Sequence, residues 1–167
     1  MKTGPLAAVL AMICIGGAAV AWAAETKVGD LRISAAWARA TPKGASVGGG
    51  YFTITNTGKT PDRLLGGNSD VSSRFELHEM RMENDIMKMR PISHGIDIKP
   101  GQTIEFKPGG YHVMFVGLKK PLEKGQHVSA TLQFEKAGKV VVDFTVESIG
   151  ASKSSRSGMQ MEHHQAH

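Results

Sequence analysis

The chain has 167 residues, 41% hydrophobic and 21% charged, with 20 Lys+Arg against 15 Asp+Glu and a net charge of +5. These figures fit one ordinary globular domain and exclude a disordered or fibrous chain. A single cysteine excludes a disulfide framework, a zinc finger or an iron–sulfur centre, and the scattered Lys and Arg form no nucleic-acid footprint.

Lys2 supplies a short positive region, Leu6 to Val20 is apolar and rich in small residues, and Ala21-Trp22-Ala23 offers a cleavage site. Residues 1–23 therefore read as a signal peptide. The competing reading is a retained anchor, but the Ala and Gly content makes the stretch a weakly hydrophobic span. Cys14 follows Ile13, where a lipoprotein would carry a small residue. Cleavage removes Cys14, Met1 and Met12, leaving no cysteine and seven of the nine methionines. The expected destination is extracytoplasmic, a bacterial periplasm, where an oxidising milieu suits a chain without thiols.

Residues 24–150 carry short apolar runs. The expected strands are Leu31–Ala36, Tyr51–Asn56, Arg63–Leu65, Phe75–Met80, Ile86–Arg90, Thr103–Lys107, Tyr111–Val116, His127–Phe134 and Val140–Val146. Turn residues separate them, among them Gly66-Gly67-Asn68, Glu83-Asn84-Asp85 and Pro108-Gly109-Gly110. No segment sustains a 3.6-residue period. Many short strands at turn-marked intervals predict an all-β sandwich or barrel. Gly48-Gly49-Gly50 suggests a bulge or a close approach of backbones. Trp37, Tyr51 and Phe52 read as core. Ala151–Gly158 reads as a linker, and residues 151–167 as a flexible Met/His-rich tail.

Nine methionines are unusual, since methionine is ordinarily a minor gap-filler. Met80, Met82, Met87 and Met89 follow His78 in one stretch, and Met114 stands two residues after His112. Treated as a hairpin with a two-residue loop, the stretch has two registers, whereas a three-residue loop without a bulge would reverse the parity. A loop at Glu83-Asn84 sets His78 opposite Met89, whereas a loop at Asn84-Asp85 sets Met80 opposite Met89. Either register leaves His78 and Met89 on one sheet face, because paired residues share a face. His112 and Met114, spaced i and i+2, also share one. Two imidazoles and two thioethers without carboxylates disfavour Ca²⁺ or Mg²⁺. Thioether and imidazole together suit copper, and thioether selects Cu(I). His94 and His127 have no methionine nearby and read as structural or surface residues. Met159, Met161, His163, His164 and His167 make a second cluster in the tail.

These residues resemble the signature of the PCu(A)C family of periplasmic copper chaperones: His, ten residues, Met, about twenty-one residues, then His-X-Met. Here His78 and Met89 keep the first spacing, and Met89 and His112 are one residue further apart than usual. The extra residue is expected in the loop Pro91–Gly95. Val47–Asn56, His78-Glu79-Met80, Met87–Pro91 and Lys107–Lys119 also match family phrases.

The resemblance implies a cupredoxin-like (Greek-key) β-sandwich that carries Cu(I) at His78, Met89, His112 and Met114, with Met80 as a possible substitute. It implies delivery to the CuA-bearing subunit of cytochrome c oxidase, with another periplasmic copper or thiol-reductase assembly factor as a further partner. The tail looks like a family extension that takes Cu(II). A copper buffer in resistance or homeostasis would use the same ligands. No catalytic activity is expected: a blue-copper site needs a cysteine, and the mature chain would hold none.

Overall fold

The computed structural model describes residues 25–155. The expected signal peptide and the tail from residue 156 onward, including Met159, Met161, His163, His164 and His167, lie outside the described residues. Eleven strands follow in chain order: β1 Thr26–Val28, β2 Leu31–Arg39, β3 Val47–Asn56, β4 Asp62–Ser69, β5 Ser72–Glu83, β6 Ile86–Pro91, β7 Ile96–Ile98, β8 Thr103–Glu105, β9 Tyr111–Leu118, β10 His127–Phe134 and β11 Lys139–Glu147. The fold is all-β and cupredoxin-like, as expected. No helix of the described residues is long and apolar enough to cross a membrane.

The strands hydrogen-bond in the order β6-β5-β9-β3-β2-β11-β10-β4-β7, with β1 on β2 and β8 on β3. All these pairings are antiparallel except β11 with β2. Leu77 and Val113 from one end of this path share a single core with Leu64, Ile98 and Leu132 from the other. The sheet therefore closes over itself like a sandwich, which lets both ends bury one apolar face. Alternation along each strand does the sorting. In β9, Val113 and Phe115 are buried in the core, so His112 and Met114 belong to the opposite face.

Some expected boundaries move. Gly66, Gly67 and Asn68 lie inside β4 rather than in a turn, because β10 pairs with them throughout. A Cβ on Gly67 would meet the Thr131 carbonyl oxygen at 2.4 Å, so glycine here serves close pairing. The three glycines before Tyr51 are part of β3, and a Cβ on Gly50 would stand 2.7 Å from Val113 and 2.9 Å from Phe115. The bulge of this region is on the partner strand. The β2–β3 register shifts between Ser34 and Trp37, where Ala35 adopts φ +51°. Both Trp37 and Tyr51 are buried as expected, but on the face opposite Phe52: Tyr51 by alternation along β3, and Trp37 because the shift brings it opposite Tyr51. The two rings pack on each other at 4.4 Å, buried on the outer face.

The expected linker is also partly docked. Arg39 Nε donates to the Ala151 carbonyl at 2.7 Å, and Glu147 Oε1 accepts from the Ser155 N–H at 2.9 Å and hydroxyl at 2.6 Å. Residues 151–155 thus belong to the folded unit. β1 and β7 had no strand expectation; at three residues each they are too short to show a period.

Candidate metal centre

The hairpin β5–β6 takes the second of the two expected registers. Met80 pairs with Met89, Met82 with Met87, and His78 with Pro91. Asn84 and Asp85 form the loop with φ of +51° and +61°, the left-handed pair that a two-residue hairpin turn requires. Asn and Asp tolerate that region better than other side-chain-bearing residues. The turn chemistry therefore decides a register that the methionine spacing leaves open.

On its other side β5 pairs with β9, which sets His78 opposite His112 and Glu76 opposite Met114. Met114 also stands opposite Gly49 of β3. Glu76, His78, Met80, Met89, His112 and Met114 thus share the outer face of neighbouring strands. Both histidines are buried, at 8% and 7% exposure, although they lie outside the apolar core. Their rings are 5.7 Å apart between centroids. His94 and His127 are exposed. Residues 92–95 form the β6–β7 loop, where the longer spacing was expected, and Met89 remains seated against His112.

The hydrogen bonds fix which ring nitrogens are free. His112 Nδ1 lies 3.0 Å from the Gly110 carbonyl oxygen, an acceptor, so Nδ1 carries the proton. In the neutral ring Nε2 then holds a lone pair, and it faces the Met89 sulfur at 3.3 Å. Burial pushes the His112 pKa below the usual 6.5; the Gly110 bond opposes this and the nearby His78 adds to it. The neutral, ligating form is therefore favoured.

His78 mirrors this arrangement. Its Nε2 lies 3.0 Å from Glu76 Oε2, and its Nδ1 is buried with no hydrogen-bond partner. With Nε2–H donating to the carboxylate, Nδ1 is the free lone pair. Glu76 itself is held below the ordinary carboxylate range by hydrogen bonds from Arg74 and His78. A histidine whose second nitrogen donates to a carboxylate or carbonyl is the usual arrangement around a protein-bound metal. Glu76 and the Gly110 carbonyl were not anticipated from the sequence. The position of Glu76, two residues before His78 on a strand, was the available signal for it.

Among the described residues, no group of three or more His, Cys, Asp or Glu side chains is placed to hold a metal ion. An ion at this face would need the thioethers. Two uncharged imidazoles beside methionine sulfurs form a soft donor set, suited to Cu(I) rather than to hard cations. Gly44-Ala45-Ser46-Val47-Gly48 fits the pattern of a hydrolase nucleophile elbow, but it runs into β3 instead of turning into a helix. Its Ser46 carbonyl accepts from the Gly117 and Leu118 N–H groups. A cleft between the hairpin and β7–β8, lined by Glu79, Glu105, Lys107 and Tyr111, lies on the opposite face of β5 and β9.

Comparison with known proteins bears on the fold and family. The chain is 31% identical over 128 residues to Putative lipoprotein Lxx21020 of Leifsonia xyli subsp. xyli, covering 77% of this chain and 76% of that protein. It superimposes on the copper-bound PCuAC domain from PmoF2 with a TM-score of 0.64 at 30% identity, covering 75% of this chain and 98% of that one. The solution structure of CuI-DR1885 from Deinococcus radiodurans matches with a TM-score of 0.53 at 29% identity, covering 76% and 83%. The model of the family described as Putative lipoprotein LpqE-like matches residues 31–146, and the chain belongs to that family, with a PCuAC-like fold.

Proposed function

We propose that this protein is an exported copper carrier that binds one Cu(I) through His78, Met89, His112 and Met114 and passes it to a copper-requiring acceptor, the CuA-bearing subunit of cytochrome c oxidase. The observation that carries the reading is the lone pair of His112 Nε2 meeting the Met89 sulfur at 3.3 Å. Neither atom has a proton to give the other, so the contact sets two lone-pair donors side by side, the arrangement one Cu(I) needs to be held by both. The orphaned His78 Nδ1 supplies a second imidazole donor. Similarity to a copper-bound PCuAC domain and to a Cu(I)-loaded protein supports the identity of the ion.

The donor set also suits transfer. All four groups are neutral, so Cu(I) keeps its charge and its attraction for a stronger site. Met89 is 49% exposed, which leaves an approach for an acceptor ligand. Export follows from the reading of residues 1–23 as a signal peptide, and residues 156–167 supply a Met/His tail able to take Cu(II). The domain that carries the main site is residues 24–150 extended to Ser155.

The test is X-ray absorption of the anaerobic Cu(I) form beside a competition titration. A mixed sulfur and nitrogen shell that His112→Ala abolishes is expected. A shell of nitrogen and oxygen alone, or Cu(I) uptake indifferent to His112→Ala, would overturn the assignment. Delivery is separated from buffering in a deletion strain: loss of oxidase activity at low copper marks delivery, and sensitivity to high copper alone marks a buffer.

A further inference from the structure

The hairpin carries more thioethers than the proposed Cu(I) site uses. Met80, Met82, Met87 and Met89 occupy two successive cross-strand pairs, Met80 with Met89 and Met82 with Met87. Directly paired residues share a face and hold their Cβ atoms about 4.5–5.5 Å apart. Residues two apart on a strand share it as well. The four side chains therefore form a two-by-two ladder that runs from the His78–His112 pair toward the turn.

This ladder is not core. Met82 is 60% exposed and Met87 44%. β6 is exposed along its whole length and pairs only with β5, at the edge of the sheet. Core filling cannot explain apolar side chains set in register on an open edge strand.

Between His78 and Pro91 the cationic side chains keep off this face. Arg81, Lys88 and Arg90 alternate onto the other side. Each is paired there: Arg81 with Glu79 at 3.4 Å, and Lys88 and Arg90 with Glu83 at 3.3 and 2.6 Å. A monovalent cation approaching the ladder meets thioethers and no ammonium or guanidinium.

We propose that Met80, Met82 and Met87 form a second, thioether-only site for a soft monovalent ion, Cu(I) or its analogue Ag(I). Thioether sulfur selects such ions over Zn²⁺, Mg²⁺ and Ca²⁺. With three neutral ligands on an exposed strand pair, the site is weak and open to exchange. It lies next to Met89, so an ion held there stands one residue pair from His112.

The experiment is an anaerobic titration of the full-length chain with Ag(I), read by the methyl resonances of ¹³C-methyl methionine. Met89 and Met114 respond in the first phase, and Met80, Met82 and Met87 in a second. The double variant Met82→Leu with Met87→Leu loses the second-phase response of Met80 and keeps the first phase, which also reports that the hairpin is folded. The double variant His78→Ala with His112→Ala keeps the responses of Met80, Met82 and Met87, so failure of the inner site is distinguishable from failure of this one. Methyl groups of Met82 and Met87 that stay fixed through the titration overturn the proposal. A second-phase Met80 response that survives loss of Met82 and Met87 overturns it equally.

Discussion

Glu76 accepts from His78 Nε2 at 3.0 Å, and this contact leaves Nδ1 as the only free nitrogen of that ring. The bond sets a tautomer as well as a ring orientation. Removing it frees the ring to turn and to exchange its proton between nitrogens.

Glu76→Ala is therefore expected to weaken Cu(I) binding by about 10–100-fold, the usual effect of losing a group that orients a metal-bound histidine. Glu76→Gln keeps a carbonyl oxygen able to accept from Nε2–H, and should retain most of the affinity. ¹⁵N NMR of His78 in the copper-free protein checks the cause: the Nε2-protonated tautomer persists in Glu76→Gln and becomes a mixture in Glu76→Ala. Equal affinity loss in both variants would show that charge, not ring orientation, is the contribution of Glu76.

His112 gives a pH prediction. Burial holds its pKa below 6.5 against the opposing pull of the Gly110 bond. A group whose folded pKa is depressed stays neutral to lower pH than usual. The ring resonances of copper-free protein should titrate with a midpoint below 6.5, and His112 should remain a neutral donor through mildly acid conditions. A midpoint above 6.5 would mean that the ring is not buried as described.

Asp62 offers a stability test away from the metal face. Its carboxylate accepts N–H groups from Arg63 at 2.7 Å, Lys136 at 2.9 Å and Ala137 at 2.9 Å, joining β4 to the β10–β11 turn. Burial pushes its pKa up, but those three donors and the Lys136 charge outweigh it and hold the group below 3.8. Its contribution is complete above 3.8 and is lost as pH falls through the lower folded value. Asp62→Ala should cost about 1 kcal/mol or more at neutral pH by leaving three part-buried N–H donors without their acceptor. Denaturant midpoints of the two proteins should converge as pH drops below that window.

The all-β fold was legible because short apolar runs recur between turn residues, and β10 alternates buried with more exposed positions along its length. Val113 and Phe115 in the apolar core, with His112 and Met114 on the opposite face, show the two-residue period within a single strand. The shared face of His78 and Met89 was legible for the same reason, since both registers with a two-residue loop preserve parity. What escaped was chemistry that depends on pairing between distant strands. Gly66 and Gly67 look like a turn until β10 is laid beside them. Glu76 looks like a surface acid until β9 sets it opposite Met114 and its own strand sets it beside His78. Trp37 and Tyr51 are buried as they read, but the sequence does not display the β2 bulge that turns Trp37 to the outer face beside Tyr51.

Gly50 tests the packing beneath the proposed site. Any Cβ there would stand 2.7 Å from Val113 Cγ2 and 2.9 Å from Phe115 Cε2, inside normal contact. Val113 sits between His112 and Met114, and Gly50 is its direct partner on β3. Gly50→Ala should therefore destabilise the fold by about 1–3 kcal/mol, the ordinary range for overpacking a dense core. The same shift of β9 should weaken Cu(I) binding without any change to a donor atom. An alanine tolerated with unaltered denaturant midpoint and affinity would show that β3 and β9 have slack there.

The docked segment after β11 decides where the tail can be cut. Arg39 Nε holds the Ala151 carbonyl at 2.7 Å while its guanidinium lies over the Tyr51 ring at 5.8 Å. Ser154 is 2% exposed, and Ser155 closes back on the buried Glu147. A chain ending at Gly150 loses the Ala151, Ser154 and Ser155 contacts and leaves Glu147 without the two Ser155 donors. It should unfold at lower denaturant, by about 1–3 kcal/mol for orphaning buried polar groups. A chain ending at Ser155 should match the full-length protein in stability and in Cu(I) affinity, and differ only in Cu(II) uptake. If the chain ending at Ser155 also lost Cu(I) affinity, residues 156–167 would have to supply a donor to the main site.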